Sequence, residues 1–169
     1  MIHVRRGAVQ IYDTDASGLI FFAAPLRWFA EGEEEYMDRF GLLDLLGHLR
    51  NFDEAGPMAP TRAYEVALDR PLRFRDRYEQ RTWIGRVGAT SYSVEHLISV
   101  DGQARARGTV HRVTVTPGPD GTLVPMAVPE ALRDYVVDGS VLDRSVLDGS
   151  VPDDPVAGEP VTGSSDQKA

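Results

Sequence analysis

The stretch YDTDASGLIFFAAPLRWF, residues 12–29, joins three sequence patterns and decides how the chain folds. Up to its first residue, Val4 to Tyr12 alternates polar and apolar residues, which is typical of a strand. Residues 13–18 are rich in Asp, Ser and Gly, which form turns and cap helices. From Ala23 to Phe40 apolar residues recur at helical spacing, so we predict one long helix there.

Three residues in or next to the predicted helix indicate how it begins, packs and ends. Pro25 falls in the first turn, where a backbone amide would lack a partner in any case. Gly32 lies inside the helix, where glycine costs roughly 1 kcal/mol relative to alanine; this glycine indicates either close packing of the helix backbone or mere tolerance of the glycine. Gly41 follows the last apolar turn and predicts the end of the helix.

After residue 60 the apolar residues recur with a period of two, which predicts strands. Four strands are expected, at Arg62–Leu68, Tyr78–Val87, Ser91–Val100 and Ala104–Thr116. The Asp101-Gly102 pair is a strong hairpin signal between the last two. Minor elements are a short helix at Leu42–Leu49, a loop at 51–60, a turn at Pro117–Gly121 and a short helix at Val128–Val137. One long helix against an antiparallel sheet is an α+β fold.

The length of 169 residues suits a single domain, which we assign to residues 1–138. Residues 139–169 repeat short units of Val, Leu, Asp, Gly and Ser and contain no aromatic residue. Such a composition buries too little apolar surface to offset chain entropy, so we predict a disordered acidic low-complexity tail. Either an inert extension or an acidic interaction segment fits this composition.

Composition excludes several functional classes. The chain has no cysteine, so disulfides, thiolate metal sites and cysteine nucleophiles are excluded. A net charge of −8 argues against general nucleic-acid binding, which needs a basic face. No apolar run approaches the ~18 residues of a membrane span, and residues 1–12 lack the apolar core of a secretory signal. We therefore expect a cytoplasmic protein.

The sequence does not decide the roles of two groups of polar residues. Six arginines crowd one stretch, which is either a solvated strand face or an edge that faces phosphates: Arg70, Arg73, Arg75, Arg77, Arg81 and Arg86. The four histidines, His3, His48, His96 and His111, show no metal-ligand spacing. We expect each histidine to lie at the surface or to be satisfied in the core, and no metal is predicted.

The acidic loop admits two interpretations. Asp13 and Asp15 could simply cap the helix and form turns. Alternatively, one carboxylate lies beside the free N–H groups at the helix start, which attract negative charge developing on a carbonyl oxygen. A carboxylate in that position could attack a carbonyl or deprotonate a water.

The loop and helix together resemble the signature of 4-hydroxybenzoyl-CoA thioesterase-like hotdog proteins, in which Asp-x-Asp-x-x-Gly leads into an Arg-Trp-bearing helix. Residues 70–79 and 85–96 are similar to two later motifs of the family, and the resemblance covers about residues 2–135. It implies a hotdog fold, a sheet wrapped around the long helix. It also implies homodimers joined by a continuous sheet, often paired into homotetramers, with active sites between subunits.

The resemblance further implies the site. Asp15 would be the catalytic nucleophile or general base, in a loop closed by Gly18, and the backbone N–H of Phe22 would polarise the thioester carbonyl. Many relatives carry Tyr or His where this chain has Phe22, and some carry an acidic residue where it has Ala30. Side-chain help at the carbonyl is therefore absent, and selectivity for a 4-hydroxybenzoyl group is not implied.

The substrate implied is a coenzyme A or acyl-carrier-protein thioester, with no metal or redox cofactor. Phe21, Phe22 and Trp28 would line an apolar or aryl acyl group, or else belong to the ordinary core. Thr61 and Ser91, near strand starts, are further candidate contacts, and Arg86, Arg75 and Arg105 are candidates for the coenzyme A phosphates.

Two rival functions come from other classes. A non-catalytic protein that binds acyl thioesters is motivated by Phe22, which has no polar side chain. A hotdog hydratase usually needs a histidine on or beside the helix, and no histidine lies between His3 and His48.

Overall fold

The structure is a computed structural model that describes residues 1–46 and 57–139. Most of the predicted loop at 51–60, the end of the helix predicted at Leu42–Leu49, and the predicted tail from residue 140 onward lie outside the described residues.

A five-stranded antiparallel sheet and one long helix make up most of the described chain, so the predicted α+β class is confirmed. The elements are β1 Ile2–Ala8, α1 Ala24–Arg39, α2 Leu43–Leu46, β2 Thr61–Leu68, β3 Arg77–Val87, β4 Ser91–Val100, β5 Gln103–Val113, β6 Val115–Pro117 and β7 Leu123–Pro125. Two 3-10 turns, Ile11–Asp13 and Glu130–Tyr135, connect them. The sheet order is β1-β3-β4-β5-β2, and β6 pairs with β7 separately.

Three predicted elements differ from the structure. The first strand ends at Ala8 instead of Tyr12, because the Asp13 carboxylate accepts the Gln10 N–H at 2.8 Å and closes a 3-10 turn. The last strand breaks at Thr114, whose N–H donates to the carbonyl oxygen of Thr90 and whose carbonyl oxygen accepts from Met126. The chain then continues into the β6–β7 hairpin, which the sequence did not predict. The helix predicted at 128–137 is a 3-10 turn.

The helix α1 packs directly on the sheet, because glycines leave room on both surfaces. A Cβ at Gly32 would lie 2.2 Å from Gln80 Nε2 and 2.9 Å from Thr82 Oγ1. A Cβ at Gly108 in β5 would lie 2.1 Å from the ring of Phe29. Of the two interpretations of Gly32, close packing is thereby confirmed.

The strand β2 forms one edge of the sheet and, within the described residues, pairs only with β5. Its apolar side chains Tyr64, Val66 and Leu68 share the face that carries α1, since they pair with Val110, Gly108 and Ala106. They are nevertheless 46%, 38% and 49% exposed. An edge strand with exposed apolar side chains is a typical surface for pairing with another chain.

A buried polar group lies between α1 and the sheet. His96 in β4 stacks on Phe29 with ring centroids 4.6 Å apart, and its Nδ1 lies 3.1 Å from Thr82 Oγ1 and 3.3 Å from Gln80 Nε2. Its Nε2 has no hydrogen-bond partner among the described residues. Burial lowers the pKa of His96 from 6.5 to about 3, with a smaller contribution from the charge of Arg112.

We predict that Gly32→Ala lowers the free energy of unfolding. Overpacking a core position typically costs about 1–3 kcal/mol, and Gln80 and Thr82 are fully buried and have no free space to move into. Chemical denaturation measures the effect. Glu34→Ala, at an exposed position of the same helix, is the control and should change stability by less than about 0.5 kcal/mol. Equal stability of the two variants would contradict the packing argument.

We also predict an acid-sensitive fold that depends on His96. Its pKa is lower in the folded chain than in the unfolded one, so its contribution is complete above pH 6.5 and is lost as the pH falls toward 3. Between pH 7 and pH 5 this group alone should remove about 2 kcal/mol of stability. Denaturation across this pH range should show a steeper decline for the parent than for His96→Leu; parallel curves would contradict the prediction.

Candidate active site

The acidic loop before α1 is anchored by its first carboxylate. Asp13 is only 1% exposed; it accepts hydrogen bonds from the Gln10 N–H and the Arg27 guanidinium. Its carbonyl oxygen accepts the Phe21 N–H at 3.0 Å. Asp13 thus ties the start of the loop to the segment just before the helix and to Arg27 in the helix itself. The sequence grouped Asp13 with Asp15 and did not predict this separate role.

The second carboxylate of the loop points into solvent. One oxygen of Asp15, Oδ1, accepts the N–H of Ser17 at 2.8 Å and its hydroxyl at 2.5 Å. No donor among the described residues contacts the other oxygen. The hydroxyl and then the backbone N–H of Ser17 lower the pKa of Asp15 below its ordinary value. Asp15 is therefore an ionised, accessible carboxylate at neutral pH.

The turn around Asp15 depends on one glycine. Gly18 has φ +76°, a conformation that side-chain-bearing residues rarely adopt. Its N–H donates to the carbonyl oxygen of Asp15 at 3.0 Å, while the Asp15 N–H donates to Leu19 at 2.9 Å. Gly18 therefore fixes the turn that carries the Asp15 carboxylate just before the start of the helix.

The start of α1 lies just after this loop and has no side-chain cap. The capping residue is Ala23, no acidic residue occupies the first turn, and Pro25 sits there as predicted. The N–H of Phe22 has no acceptor among the described residues. Free N–H groups at a helix start carry partial positive charge and stabilise an oxyanion.

Aromatic side chains around the loop divide into two groups. Phe22 is 82% exposed and meets the half-exposed Phe21 edge to face at 6.2 Å. Ile11 and Tyr12, in the 3-10 turn before the loop, are also largely exposed. Trp28, by contrast, is 1% exposed and packs on Tyr78 at 4.8 Å. Trp28 therefore belongs to the core, the alternative to acyl lining that the sequence left open.

The other residues predicted to contact the substrate, Thr61, Arg86 and Ser91, lie at the end of the sheet opposite the acidic loop. Arg86 and Ser91 line one cavity of about 460 Å³, and Thr61 lies one residue before Arg62 in its wall. The acidic loop lies instead beside the start of β3, where Leu19 bridges to Arg73. Ten strand residues at ~3.3 Å each separate the two ends by roughly 30 Å. Within one chain, Asp15 and the cavity therefore cannot contact the same small acyl group.

The other two candidate arginines are also dispersed. Arg75 lies at the acidic-loop end with φ +73° and its guanidinium over the ring of Phe74. The Nε of Arg105 is buried without a partner among the described residues, while its carbonyl oxygen accepts from Asp69 and Arg70. A single phosphate group could not meet all three predicted arginines of one chain.

A buried ion pair at the cavity wall was missed by the sequence reasoning. Glu33 of α1 is 2% exposed and binds Arg112 of β5 through two hydrogen bonds of 2.9 and 2.8 Å. Arg112 also donates to the carbonyl oxygen of Ala59 at 3.0 Å. An acidic residue on the apolar side of a helix was the available signal, but its partner lies 79 residues away.

The described part of the chain contains no group of three metal-binding side chains. Among its helices, none is both long and apolar enough to cross a bilayer.

Comparison with known proteins identifies the family. A sequence model of the Thioesterase-like superfamily matches residues 9–134, and the chain belongs to this superfamily. The hotdog fold and the family resemblance predicted from the acidic loop are confirmed. A search of curated protein sequences found no match to the chain.

Several solved thioesterase structures share the fold. A gentisyl-coenzyme A thioesterase has 23% identity and a TM-score of 0.62, over 78% of this chain and 98% of that one. A 1,4-dihydroxy-2-naphthoyl-CoA thioesterase from Synechocystis has 20% identity and a TM-score of 0.63, over 79% and 93%. A 4-hydroxybenzoyl CoA thioesterase complexed with 4-hydroxybenzoyl CoA has 15% identity and a TM-score of 0.62, over 79% and 96%.

We predict that Ser17→Ala raises the pKa of Asp15. The hydroxyl of Ser17 is the largest cause of the lowered value, and its loss removes one hydrogen bond to the charged carboxylate. A carbon-13 NMR titration of the Asp15 carboxyl measures the shift directly. Thr14→Val removes a hydroxyl of the same loop that donates to Ile11 and should leave the titration of Asp15 unchanged. An Asp15 titration insensitive to Ser17→Ala would contradict the assigned hydrogen bond.

Proposed function

We propose that the protein hydrolyses an acyl thioester to a free acid and a thiol. The observation that carries this proposal is the pairing of Asp15, an exposed and ionised carboxylate, with an uncapped helix start that offers the Phe22 N–H. The superfamily to which the chain belongs supports the same reaction class.

The chemistry follows from these two groups. The thioester oxygen accepts the Phe22 N–H, which stabilises the negative charge that develops as the carbonyl carbon is attacked. Asp15 either attacks that carbon to form a mixed anhydride, which water then opens, or removes a proton from the attacking water. In both routes the carbon–sulfur bond breaks, the sulfur leaves as a thiolate that gains a proton, and water supplies the oxygen of the acid. No metal or redox cofactor is needed.

An apolar or aryl acyl group fits the surface beside the loop. Phe21, Phe22, Ile11 and Tyr12 present apolar area to solvent there. The structural neighbours include thioesterases for gentisyl, 1,4-dihydroxy-2-naphthoyl and 4-hydroxybenzoyl coenzyme A. Ala30 offers no carboxylate to a ring hydroxyl, so we propose an apolar or aryl acyl class without 4-hydroxybenzoyl selectivity.

Assembly through the β2 edge would complete the site. Antiparallel pairing of two β2 strands about a two-fold axis brings the Thr61 end of one strand to the Leu68 end of the other. The Leu68 end pairs with the start of β5, and the segment that follows it returns to the acidic loop at Arg73. We therefore propose a homodimer, alone or paired into a tetramer, in which the cavity of one subunit lies near Asp15 of its partner.

A second candidate is a non-catalytic protein that binds acyl thioesters. The observation favouring it is that Phe22 supplies a backbone N–H but no polar side chain. The lowered pKa of Asp15 also makes the carboxylate a weaker base.

We predict that Asp15→Asn slows thioester hydrolysis by about 10²–10⁴-fold. The substitution keeps the size of the side chain and removes its charge. Free thiol release is measured with a panel of aliphatic, aryl and β-keto acyl thioesters of coenzyme A and of a carrier protein.

Asp120→Asn is a matched control. Asp120 accepts the N–H and the hydroxyl of Thr122 just as Asp15 accepts those of Ser17, but it lies in the β6–β7 hairpin. The Asp120→Asn variant should hydrolyse thioesters at the same rate as the parent. If Asp15→Asn hydrolyses thioesters as fast as the parent, another residue carries out the reaction. If the parent binds acyl-CoA tightly without turnover, the second candidate is favoured.

A further inference from the structure

The C-terminal end of the described chain lies against the outer face of the sheet, which is the face turned away from α1. The N–H of Val137 donates to the carbonyl oxygen of Ile84 at 2.9 Å, so this segment pairs with β3 just past the start of β1. Val137 packs on Trp83 and Leu97, an apolar cluster separate from the main core. A Cβ at Gly139 would lie 3.5 Å from the indole ring of Trp83. The chain beyond Gly139 therefore starts beside this cluster.

Trp83 and Leu97 are only 6% and 2% exposed, although they point away from the helix layer. The partly buried apolar residues packed against them are Ile2 and Ala104, which lie in the same sheet, and Val137. The indole N–H of Trp83 is also buried and has no acceptor among the described residues. Buried N–H groups are almost always hydrogen-bonded. A covering segment that brings a hydrogen-bond acceptor would therefore complete this cluster.

The sequence that follows is a five-residue repeat. From residue 136 the chain runs through three units, VVDGS, VLDRS and VLDGS, at 136–140, 141–145 and 146–150. The second residue of the first unit is Val137, which packs on Trp83. Leu142 and Leu147 hold the same place in the next two units, and an aspartate follows each of them. The later units therefore repeat the pattern of the unit that is seated on the outer face.

The outer face carries basic side chains that suit these aspartates. Leu97 pairs with Arg81 of β3 on one side and with Arg107 of β5 on the other, so the three side chains form one row. Arg81 binds Glu79 and Arg107 binds Asp69, each through Nε. A guanidinium group has five N–H donors and can bind a second carboxylate. The row therefore offers an apolar centre between two cationic groups.

The second unit of the repeat is long enough to reach this row. Five extended residues span roughly 17 Å, whereas β3 and β5 are two strand spacings apart, roughly 10 Å. Leu142 lies five residues after Val137, so its side chain can reach Leu97. Asp143 is then within reach of the arginine on either side.

We propose that residues 141–150 dock on the outer face of the sheet of the same chain. Leu142 and Leu147 cover the cluster of Trp83 and Leu97, and the aspartates of the repeat bind the arginines that flank it. The docked segment also supplies an acceptor for the indole N–H of Trp83. Of the two interpretations of the acidic C-terminal segment, this assigns residues 141–150 to an interaction within the chain. The proposal does not depend on thioester hydrolysis.

The first test uses the two tryptophans of the full chain as probes. A proton–nitrogen NMR spectrum contains two indole N–H signals, and the signal lost in Trp83→Phe belongs to Trp83. We expect Leu142→Ser/Leu147→Ser to shift this signal and to speed exchange of its proton with solvent roughly 10-fold or more, because burying one leucine favours the docked state by about tenfold or more. The signal of Trp28, which is 1% exposed in the core, should not move and reports that the domain stays folded.

The matched control changes two apolar residues of the same C-terminal segment outside the repeat. Val156→Ser/Val161→Ser should leave both indole signals and their exchange rates as in the parent. A Trp83 signal that is identical in the parent and in Leu142→Ser/Leu147→Ser overturns the proposal.

The contribution of the aspartates is tested in the same way. Asp143→Asn/Asp148→Asn should move the Trp83 signal toward its position in the leucine variant. Asp153→Asn/Asp154→Asn removes the same charge outside the repeat and should not move it. Equal effects of the two pairs would overturn the assignment of the aspartates to the arginines.

The second test shows which chain the segment docks on. The protein has no cysteine, so Ser145→Cys gives one attachment site for a nitroxide spin label, between the second and third units. The label should broaden the Trp83 indole signal strongly, and a label at Ser165→Cys, far along the segment, should broaden it much less. Equal broadening from the two positions would contradict docking of the repeat.

A mixed sample separates docking within a chain from docking on a second copy. Spin-labelled chains without nitrogen-15 are mixed with nitrogen-15 chains that carry no label. We expect the Trp83 signal of the mixture to stay sharp, since each segment covers its own sheet. Broadening in the mixture as strong as in the singly labelled chain would show that the segment binds another copy, and would overturn the proposal.

Discussion

The contact between α1 and the sheet at Gly32 is the constraint on which the rest of the structure depends. Gly32 and Gly108 let the helix backbone and the sheet approach until Gln80, Thr82 and Phe29 fill the space between them. A side chain at either glycine would clash with Gln80, Thr82 or Phe29, so these side chains or the two layers would have to shift. Because α1 is held at this depth, its N-terminus lies beside the start of β3, where the acidic loop crosses the end of the sheet.

Two identical carboxylates of that loop acquire opposite roles from their surroundings. Asp13 is buried and bound by Arg27, so it holds the loop against the first turns of the helix. Asp15 points outward and is bound only through one oxygen by Ser17. A buried, paired charge stabilises a single conformation, while an exposed one is available for chemistry. Of two carboxylates only two residues apart, Asp13 therefore holds the loop in place and Asp15 is the candidate nucleophile.

The fold distributes polar groups to both ends of its sheet. One end carries the acidic loop and the start of α1, and the other carries the cavity of about 460 Å³ lined by Arg62, Arg86 and Ser91. A single chain cannot bring both ends to one small molecule. The homodimer that we propose through the exposed apolar edge of β2 would bring the two ends together.

The sequence by itself determined the elements that depend on neighbours in the chain. The helix bounds differ from Ala23–Phe40 by one residue at each end, and the hairpin at Asp101-Gly102 was predictable because both residues need positive φ. The Asp-x-Asp-x-x-Gly loop also identified the family. Only the tertiary structure decided which residues meet: Trp28 enters the core, Glu33 finds Arg112, and Arg86 joins Arg62 and Ser91 far from Asp15. Periodicity encodes which way a side chain faces, whereas these contacts depend on strand register and bulges set by residues distant in sequence.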